Sequence, residues 1–109
     1  MKLKVENGLL YVDNHRFCFA EVEGMDGNLP TGPRAVVTQY SADHGDILPR
    51  VADYGWIGAR TGRRIVIGRV RSRVGPLPCR DLTQELTQEL TAIIEACEDL
   101  GKSVTIEIK

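Results

Sequence analysis

The chain has 109 residues and a formal net charge of −1, and 42% of its residues are hydrophobic and 27% are charged. This length fits a single domain over 1–109 with a modest core, and the balanced composition excludes disordered and fibrous proteins. The apolar runs are a few residues long, far short of the roughly 20 that a membrane-spanning helix needs, so we expect no membrane partner.

The first half of the chain is predicted to form strands, because apolar and polar residues alternate along it. Asn7-Gly8 and Asp13-Asn14-His15 mark turns between these strands, and the glycine- and proline-rich segment 24–33 predicts a loop. The alternating N-terminus also lacks the apolar core of a secretory signal, which predicts synthesis in the cytoplasm. Strands are expected over residues 2–6, 9–12, 16–23 and 35–40, a polar turn over 41–46, and an irregular segment with a short strand or turn over 47–58.

The segment 64–74 changes character along its length. Ile65-Val66-Ile67 is apolar at every position, as in a central strand that is covered on both faces. After it, Arg69, Arg71 and Arg73 alternate with smaller residues, so they should point to one face of an extended strand. We call these three residues the arginine row.

Apolar residues near the C-terminus recur every three or four positions, which is typical of one face of a helix. Asp81 and Gln84 have the spacing of a capping box, and Gly101 suits the left-handed residue that ends a helix. We predict a helix over 81–100 followed by a half-buried strand over 103–108. The helix face predicted to pack on a sheet containing strands 64–70 and 103–108 comprises Leu82, Leu86, Leu90, Ile94 and Cys97.

These elements together predict an α+β fold. We expect a compact β-rich domain, built from small mixed sheets or a partial barrel, with one C-terminal amphipathic helix followed by a final strand. The helix should cover the sheet, because its apolar stripe and the strand that is apolar on both faces both need burial.

The charges are segregated along the chain, although they nearly cancel overall. Residues 1–55 carry five basic and eight acidic side chains, residues 56–80 carry seven arginines and no acid, and residues 81–109 carry two lysines and seven acids. Three interpretations of the arginines stay open: docking of phosphate or an acidic protein face, a solvated strand that resists aggregation, and contact with the acidic helix of the same or a neighbouring subunit. The candidate surface, for assembly or for a polyanion, comprises Arg60, Arg63, Arg64, Arg69, Arg71 and Arg73.

Few titratable side chains are candidates for catalysis or metal binding. Asp43-His44-Gly45-Asp46 places an imidazole between carboxylates, as in a base or metal ligand, but a polar turn with a left-handed glycine explains the same residues. His15 and Cys18 are a possible base and nucleophile, although a thiol buried between two phenylalanines is inert. Glu21 and Glu23 share one strand face, either as a carboxylate pair or as a soluble edge. With three cysteines and no Cys-x-x-Cys, the sequence predicts no disulfide, no metal site and no cofactor.

The order of segments in the chain resembles that of a family of small uncharacterised domains associated with phages. The resemblance is carried by GLLYVDNHRFCFAEVE, LPTGPRAVVTQYSADHGDILPRV, RRIVIG and GKSVTIEI. Those domains are in turn similar to L,D-transpeptidase catalytic domains, which are β-rich and act on peptidoglycan. The resemblance therefore implies a β-rich fold with a phage origin.

The catalytic part of that family's pattern is missing from this chain. In the family, a histidine segment is followed by Gly-Cys directly before the apolar strand, and the cysteine is the nucleophile. Here Arg63 and Arg64 stand where Gly-Cys would fall, and no histidine follows His44. The resemblance thus implies a scaffold that lost its chemistry and was reused, and no catalytic residue carries over.

We therefore expect a non-enzymatic component of a phage or prophage virion, such as a small tail, baseplate or capsid accessory protein. Its partners would be other virion proteins or copies of itself. One alternative is a peptidoglycan-active or peptidoglycan-binding protein of a phage lysis or tail module. Another is a nucleic-acid-binding module that uses the arginines, which the near-zero net charge and the few aromatic residues disfavour.

Overall fold

The computed structural model of the protein describes residues 1–23, 32–59, 62–68 and 82–109. Over these ranges the chain forms eight strands and one helix. The elements in chain order are β1 (Lys2–Glu6), β2 (Leu9–Val12), β3 (His15–Glu23), β4 (Arg34–Ser41), β5 (Asp46–Val51), β6 (Gly55–Ile57), β7 (Arg64–Ile67), α1 (Thr83–Asp99) and β8 (Thr105–Ile108).

The eight strands close into one barrel, in the order β1-β2-β3-β7-β6-β5-β4-β8. Two contacts around the barrel are parallel, β1 with β8 and β6 with β7, and the others are antiparallel. The predicted α+β fold of small mixed sheets or a partial barrel is therefore wrong. Strand alternation shows which residues are extended, but it does not show that the first and last strands pair, and this pairing closes the barrel.

Two tight turns connect the first three strands. Asn7 and Gly8 both have positive φ, 53° and 77°, as a two-residue hairpin turn of type I′ requires. Asp13 and Asn14 repeat this pattern at 48° and 68°, so β3 begins at His15, one residue earlier than predicted. Local turn chemistry thus sets the register of the first three strands.

The hydrophobic core fills the barrel and continues onto the helix. Leu90 and Ile94 of α1 and Ile67 of β7 are all 0% exposed, and Leu86 and Cys97 pack against the same cluster. Four residues of the predicted apolar face, Leu86, Leu90, Ile94 and Cys97, thus pack in the core, whereas Leu82 is half-buried and precedes the helix. The helix contacts mainly β4, β5 and β7, and the barrel on which it packs contains both β7 and the final strand, as predicted.

The helix begins and ends at well-defined residues. Its N-cap is Leu82, with no side-chain cap hydrogen bond, and the predicted cap residue Asp81 lies outside the described residues. At the other end, Gly101 has a φ of 72° and donates its amide to the Glu98 carbonyl, while Lys102 donates to Cys97. This pair of bonds is a Schellman motif, which confirms the predicted glycine cap.

The segment that was predicted to be irregular contains two strands, β5 and β6. One residue of β5, Pro49, cannot donate to a ladder, because proline has no amide hydrogen. It lies opposite Thr38, whose amide donates to Glu98, so the Pro49 nitrogen points away from β4. On the side away from β4, the neighbour of β5 is β6, which pairs only with Arg50 and Val51. The missing amide of Pro49 therefore costs no hydrogen bond between β5 and β6.

Candidate functional site

The surface carries a polar cleft between the N-terminal half of α1 and the strands β5 to β7. Its volume is about 570 Å³, which is in the range of small-ligand sites. Its floor includes Gly58, whose φ of 84° and missing Cβ let Thr87 of the helix approach closely. The polar side chains that line this cleft are His44, Asp46, Arg64, Thr83, Gln84, Glu85, Thr87, Gln88 and Thr91.

Arg64, in the cleft wall, is held by an ion pair. It pairs across the barrel strands with Glu23, and its Nη2 donates to Glu23 Oε2 at 2.7 Å. Its Nη1 donates to the Gly62 carbonyl at 3.0 Å. Arg64 is therefore an ion-paired cation, which is not a nucleophile.

His44 lies in the turn between β4 and β5. Its Nδ1 is 2.7 Å from the hydroxyl oxygen of Ser41, which resembles a base beside a nucleophile. Ser41, however, is only 4% exposed and does not line the cleft. Gly45, with a φ of 64°, donates its amide to the Ser41 carbonyl, so these residues form the predicted polar turn with a left-handed glycine.

Cys18, one of the two cysteines that the structure describes, is a poor nucleophile. Burial raises the pKa of Cys18 to about 11; a hydrogen bond with the Gly68 backbone opposes this shift and the Glu89 carboxylate adds to it. The thiol is therefore protonated near neutral pH. Cys97 is also a free thiol and donates to the Lys102 carbonyl, whereas Cys79 lies outside the described residues.

A β-bulge places His15 and Cys18 on the same side of β3, opposite Val12 and Leu10 of β2. Because Val12 and Leu10 are two residues apart, the spacing is about 7 Å. No hydrogen bond joins the imidazole and the thiol, and His15 is exposed. The two side chains do not form a nucleophile–base pair. Among the residues that the structure describes, no three side chains are grouped as metal ligands.

Only part of the predicted arginine surface can be placed. Arg60, Arg69, Arg71 and Arg73 lie outside the described residues. Arg63 is exposed, whereas Arg64 is half-buried and ion-paired with Glu23. Glu21 shares its strand face with Glu23.

A second concavity, which we call the hairpin groove, lies between the β4–β5 hairpin and the C-terminal half of α1. Tyr40 and Ile47 are directly opposite across the hairpin and share one face, and they are 61% and 44% exposed. The groove has a volume of about 310 Å³. Its residues are Thr38, Gln39, Tyr40, Ile47, Glu95, Glu98 and Asp99.

The wall of the hairpin groove is acidic. Glu98 accepts hydrogen bonds from the Thr38 amide and hydroxyl, which fix the helix to β4. No described ion pair involves Glu95 or Asp99, and the last turn of the helix has no basic residue. This groove was not among the sites predicted from the sequence. The signal was present, because a polar turn over 41–46 places residues 40 and 47 opposite each other.

Comparison with known proteins does not assign the chain to a family. No family model, no curated protein and no solved structure matches it. Within the described ranges, no helix is long and apolar enough to cross a membrane.

Proposed function

We propose that this protein is a non-enzymatic assembly component of a phage or prophage virion, such as a tail, baseplate or capsid accessory protein. It would act by binding other virion proteins or copies of itself. The observation that supports binding is the hairpin groove, where Tyr40 and Ile47 are exposed side by side against an acidic helix wall. The phage origin is supported by the resemblance of the segment order.

The groove has the composition of a protein interface. An aromatic and an aliphatic side chain form its apolar centre, and Glu95 and Asp99 supply a charged rim. Tyrosine is frequent among the residues that dominate binding energy. Exposed apolar side chains enclosed by polar ones commonly mark binding surfaces.

The polar cleft supports a non-enzymatic role. Arg64 is paired with Glu23, and Ser41 is buried outside the cleft lining. The raised pKa of Cys18 keeps its thiol protonated. These residues lack the activated nucleophile that acyl transfer requires, so we expect no turnover of peptidoglycan fragments.

Particles produced by the native host test the proposal. Mass spectrometry of gradient-purified particles should detect the wild-type chain in a fixed ratio to the major capsid or tail protein. The variant Y40E/I47E should stay folded but be lost from the particles, because two buried-interface positions would then carry charge. The control V37E changes an apolar residue that is 47% exposed on the other face of β4, and it should be incorporated. Absence of the wild-type chain from particles contradicts the proposal.

A second candidate function is peptidoglycan binding in the polar cleft. The cleft presents the amide side chains of Gln84 and Gln88, which are suited to hydrogen-bond a neutral polar ligand. Purified cell-wall sacculi should then pellet the wild-type chain but not Q84A/Q88A, with Q39A as the control. The nucleic-acid alternative depends on arginines outside the described residues and stays a prediction.

A further inference from the structure

We propose that the hairpin groove binds an extended, arginine-bearing segment of a partner protein, which pairs with the open edge of β4 as a short added strand. The inference rests on the proposed assembly function, and it specifies the chemistry of the partner and the way in which it binds. It is supported by an open backbone edge, by the exposed side chains of Tyr40 and Ile47, and by the acidic wall of the groove.

The tip of the β4–β5 hairpin extends beyond the strands on either side of it. On one side β8 pairs only with Arg34 and Ala35 of β4, and on the other β6 pairs only with Arg50 and Val51 of β5. Near the tip, every second residue of each strand therefore directs its backbone groups to a side on which no described strand lies. Such an edge is a place where the strand of another protein can pair.

The edge of β5 near the tip is closed to an added strand. Pro49 has no amide hydrogen, and proline on an edge is one of the ways in which proteins prevent strand pairing. The Ile47 amide donates to the Asp46 carboxylate at 2.8 Å, so it is already satisfied. A partner strand must therefore pair with β4 instead.

The edge of β4 is open at Tyr40. The Val36 amide, which faces this edge, donates to the Val104 carbonyl. Two residues later, the Thr38 amide donates to the Glu98 carboxylate. Tyr40 is the next residue in this alternation, so its amide and carbonyl also face the edge rather than β5. Within the described residues no hydrogen bond on this side uses the Tyr40 amide, which leaves one donor and one acceptor for the backbone of a partner.

The side chains beside this edge suit an arginine of the partner. Tyr40 is 61% exposed, and a guanidinium group stacks on its aromatic ring more readily than an ammonium group does. Ile47 lies opposite Tyr40 on the same face of the hairpin and is 44% exposed, so it can pack against the aliphatic stem of an arginine. An added strand thus gains both backbone hydrogen bonds and side-chain contacts at one position.

The acidic wall of the groove selects for positive charge. Glu95 and Asp99 lie near the C-terminal end of α1, where the helix carries a partial negative charge and its last turn has no basic residue. No described ion pair involves either carboxylate. Their Cβ atoms are about 6 Å apart, and side chains on one face of an extended strand are about 7 Å apart. Two arginines at alternate positions of the partner can therefore bind both carboxylates.

An NMR titration of the full chain with a defined peptide tests this inference. The probe is an acetylated and amidated peptide of about six residues, an ordinary strand length, that alternates arginine and threonine. Binding should shift the resonances of Tyr40, Ile47 and Glu95. It should also slow hydrogen exchange of the Tyr40 amide, because this amide then donates to the peptide. Resonances of β3, which lies four strands away around the barrel, should not move.

Modified peptides test the added strand. Only one set of alternate amides in an extended peptide faces β4, so N-methylation of either the arginine or the threonine amides, but not of both sets, should weaken binding about tenfold. A peptide with glutamate in place of arginine should not bind, because it would meet the acidic wall. Equal effects of the two methylations, or binding of the glutamate peptide, would overturn the inference.

Variants of the chain test the groove. E95Q/D99N should weaken peptide binding about tenfold, as expected from the loss of two exposed ion pairs, and Y40A/I47A at least as much. The control D43N/E89Q removes the same charge at exposed positions outside the groove and should bind like the wild type.

Circular dichroism checks that each variant is folded; if Y40A/I47A is not, E95Q/D99N decides the result. A wild-type chain that does not bind the arginine peptide contradicts the inference. Equal binding by the wild type and E95Q/D99N contradicts it as well.

Other occupants of the groove give different results. If the wild-type chain self-associates in sedimentation equilibrium and Y40A/I47A is monomeric, the occupant is a second copy and the inference is wrong. If the peptide binds only to the variant R69Q/R71Q/R73Q, arginines of the same chain compete for the groove, and the inference is again wrong.

The outcomes for the two proposals are separable. A chain that is present in particles but does not bind the arginine peptide contradicts this inference and leaves the assembly function supported. A chain that binds the peptide in the groove but is absent from particles contradicts the virion function alone.

Discussion

Cys18 shows how the surroundings of one residue decide its chemistry. Between two phenylalanines on β3, its thiol is partly buried beside the Gly68 backbone and near the Glu89 carboxylate. Burial and the nearby negative charge both disfavour the thiolate, so the pKa rises to about 11. The sequence predicted an inert thiol from the apolar neighbours alone. It could not predict the contribution of Glu89, which comes from a distant helix.

The raised pKa of Cys18 predicts a defined pH dependence. In the variant C79S/C97S, alkylation should be slow at pH 8, and its rate should reach half-maximum near pH 11 in the folded protein but near 8.5 in denaturant. Because the folded pKa lies above the unfolded one, the contribution to stability is complete below pH 8.5 and is lost between 8.5 and 11. The free energy of unfolding of C18A/C79S/C97S, measured in urea, should therefore not fall between pH 8.5 and 11. Equal alkylation profiles for the folded and denatured chains would contradict the prediction.

Among the elements, those whose ends carry local signals were predictable. The Asn7-Gly8 turn and the Gly101 cap depend on residues that tolerate positive φ, and both were identified from the sequence. The strands β5 and β6 were not, and the sequence predicted an irregular segment with a short strand or turn over 47–58. The burial of β5 does not alternate from residue to residue, and β6 has only three residues. Pro49 cannot donate to a ladder, and it leaves no bond unmade only because β6 is short.

The approach of α1 to the end of β6 depends on Gly58. A Cβ at this position would lie 2.3 Å from Thr87 Cγ2, and the φ of 84° is strained for other residues. G58A should therefore lower the free energy of unfolding by about 2–4 kcal/mol, from backbone strain and overpacking together. The control G101A has a φ of 72° with open space around the added Cβ, so it should lose only about 1 kcal/mol.

Urea denaturation of G58A, G101A and the double variant G58A/T87A measures these effects. Shortening Thr87 in the double variant removes the contacts at 2.3 and 2.6 Å and leaves only its Cβ at 3.0 Å, so the loss relative to T87A alone should fall towards that of G101A. If G58A is as stable as G101A, the space between Gly58 and Thr87 accommodates a Cβ, and the prediction is wrong.

At the scale of the whole molecule, closure of the barrel was beyond local sequence patterns. β1 and β8 are separated by nearly the entire chain, and they pair in register through Leu3 and Ile106. The candidate arginine surface was likewise chosen from the sequence order of charges. In the folded chain Arg64 instead binds Glu23, which lies 41 residues away. Predicting either feature requires knowing which strands are neighbours.

The closed topology predicts that the barrel unfolds as one unit. With no free strand edge, amides of β1 and β8 should exchange hydrogen as slowly as those of β3 and β7, at the global free energy of unfolding. I106A removes a side chain that is 1% exposed in the closing strand, and it should cost about 2–4 kcal/mol and accelerate exchange in all eight strands equally. I47A, at a position that is 44% exposed, should leave exchange nearly unchanged. Hydrogen exchange followed by mass spectrometry resolves the strands. Faster exchange confined to β1, β8 and β4 in I106A would show that these strands open separately from the rest, which a single cooperative barrel does not allow.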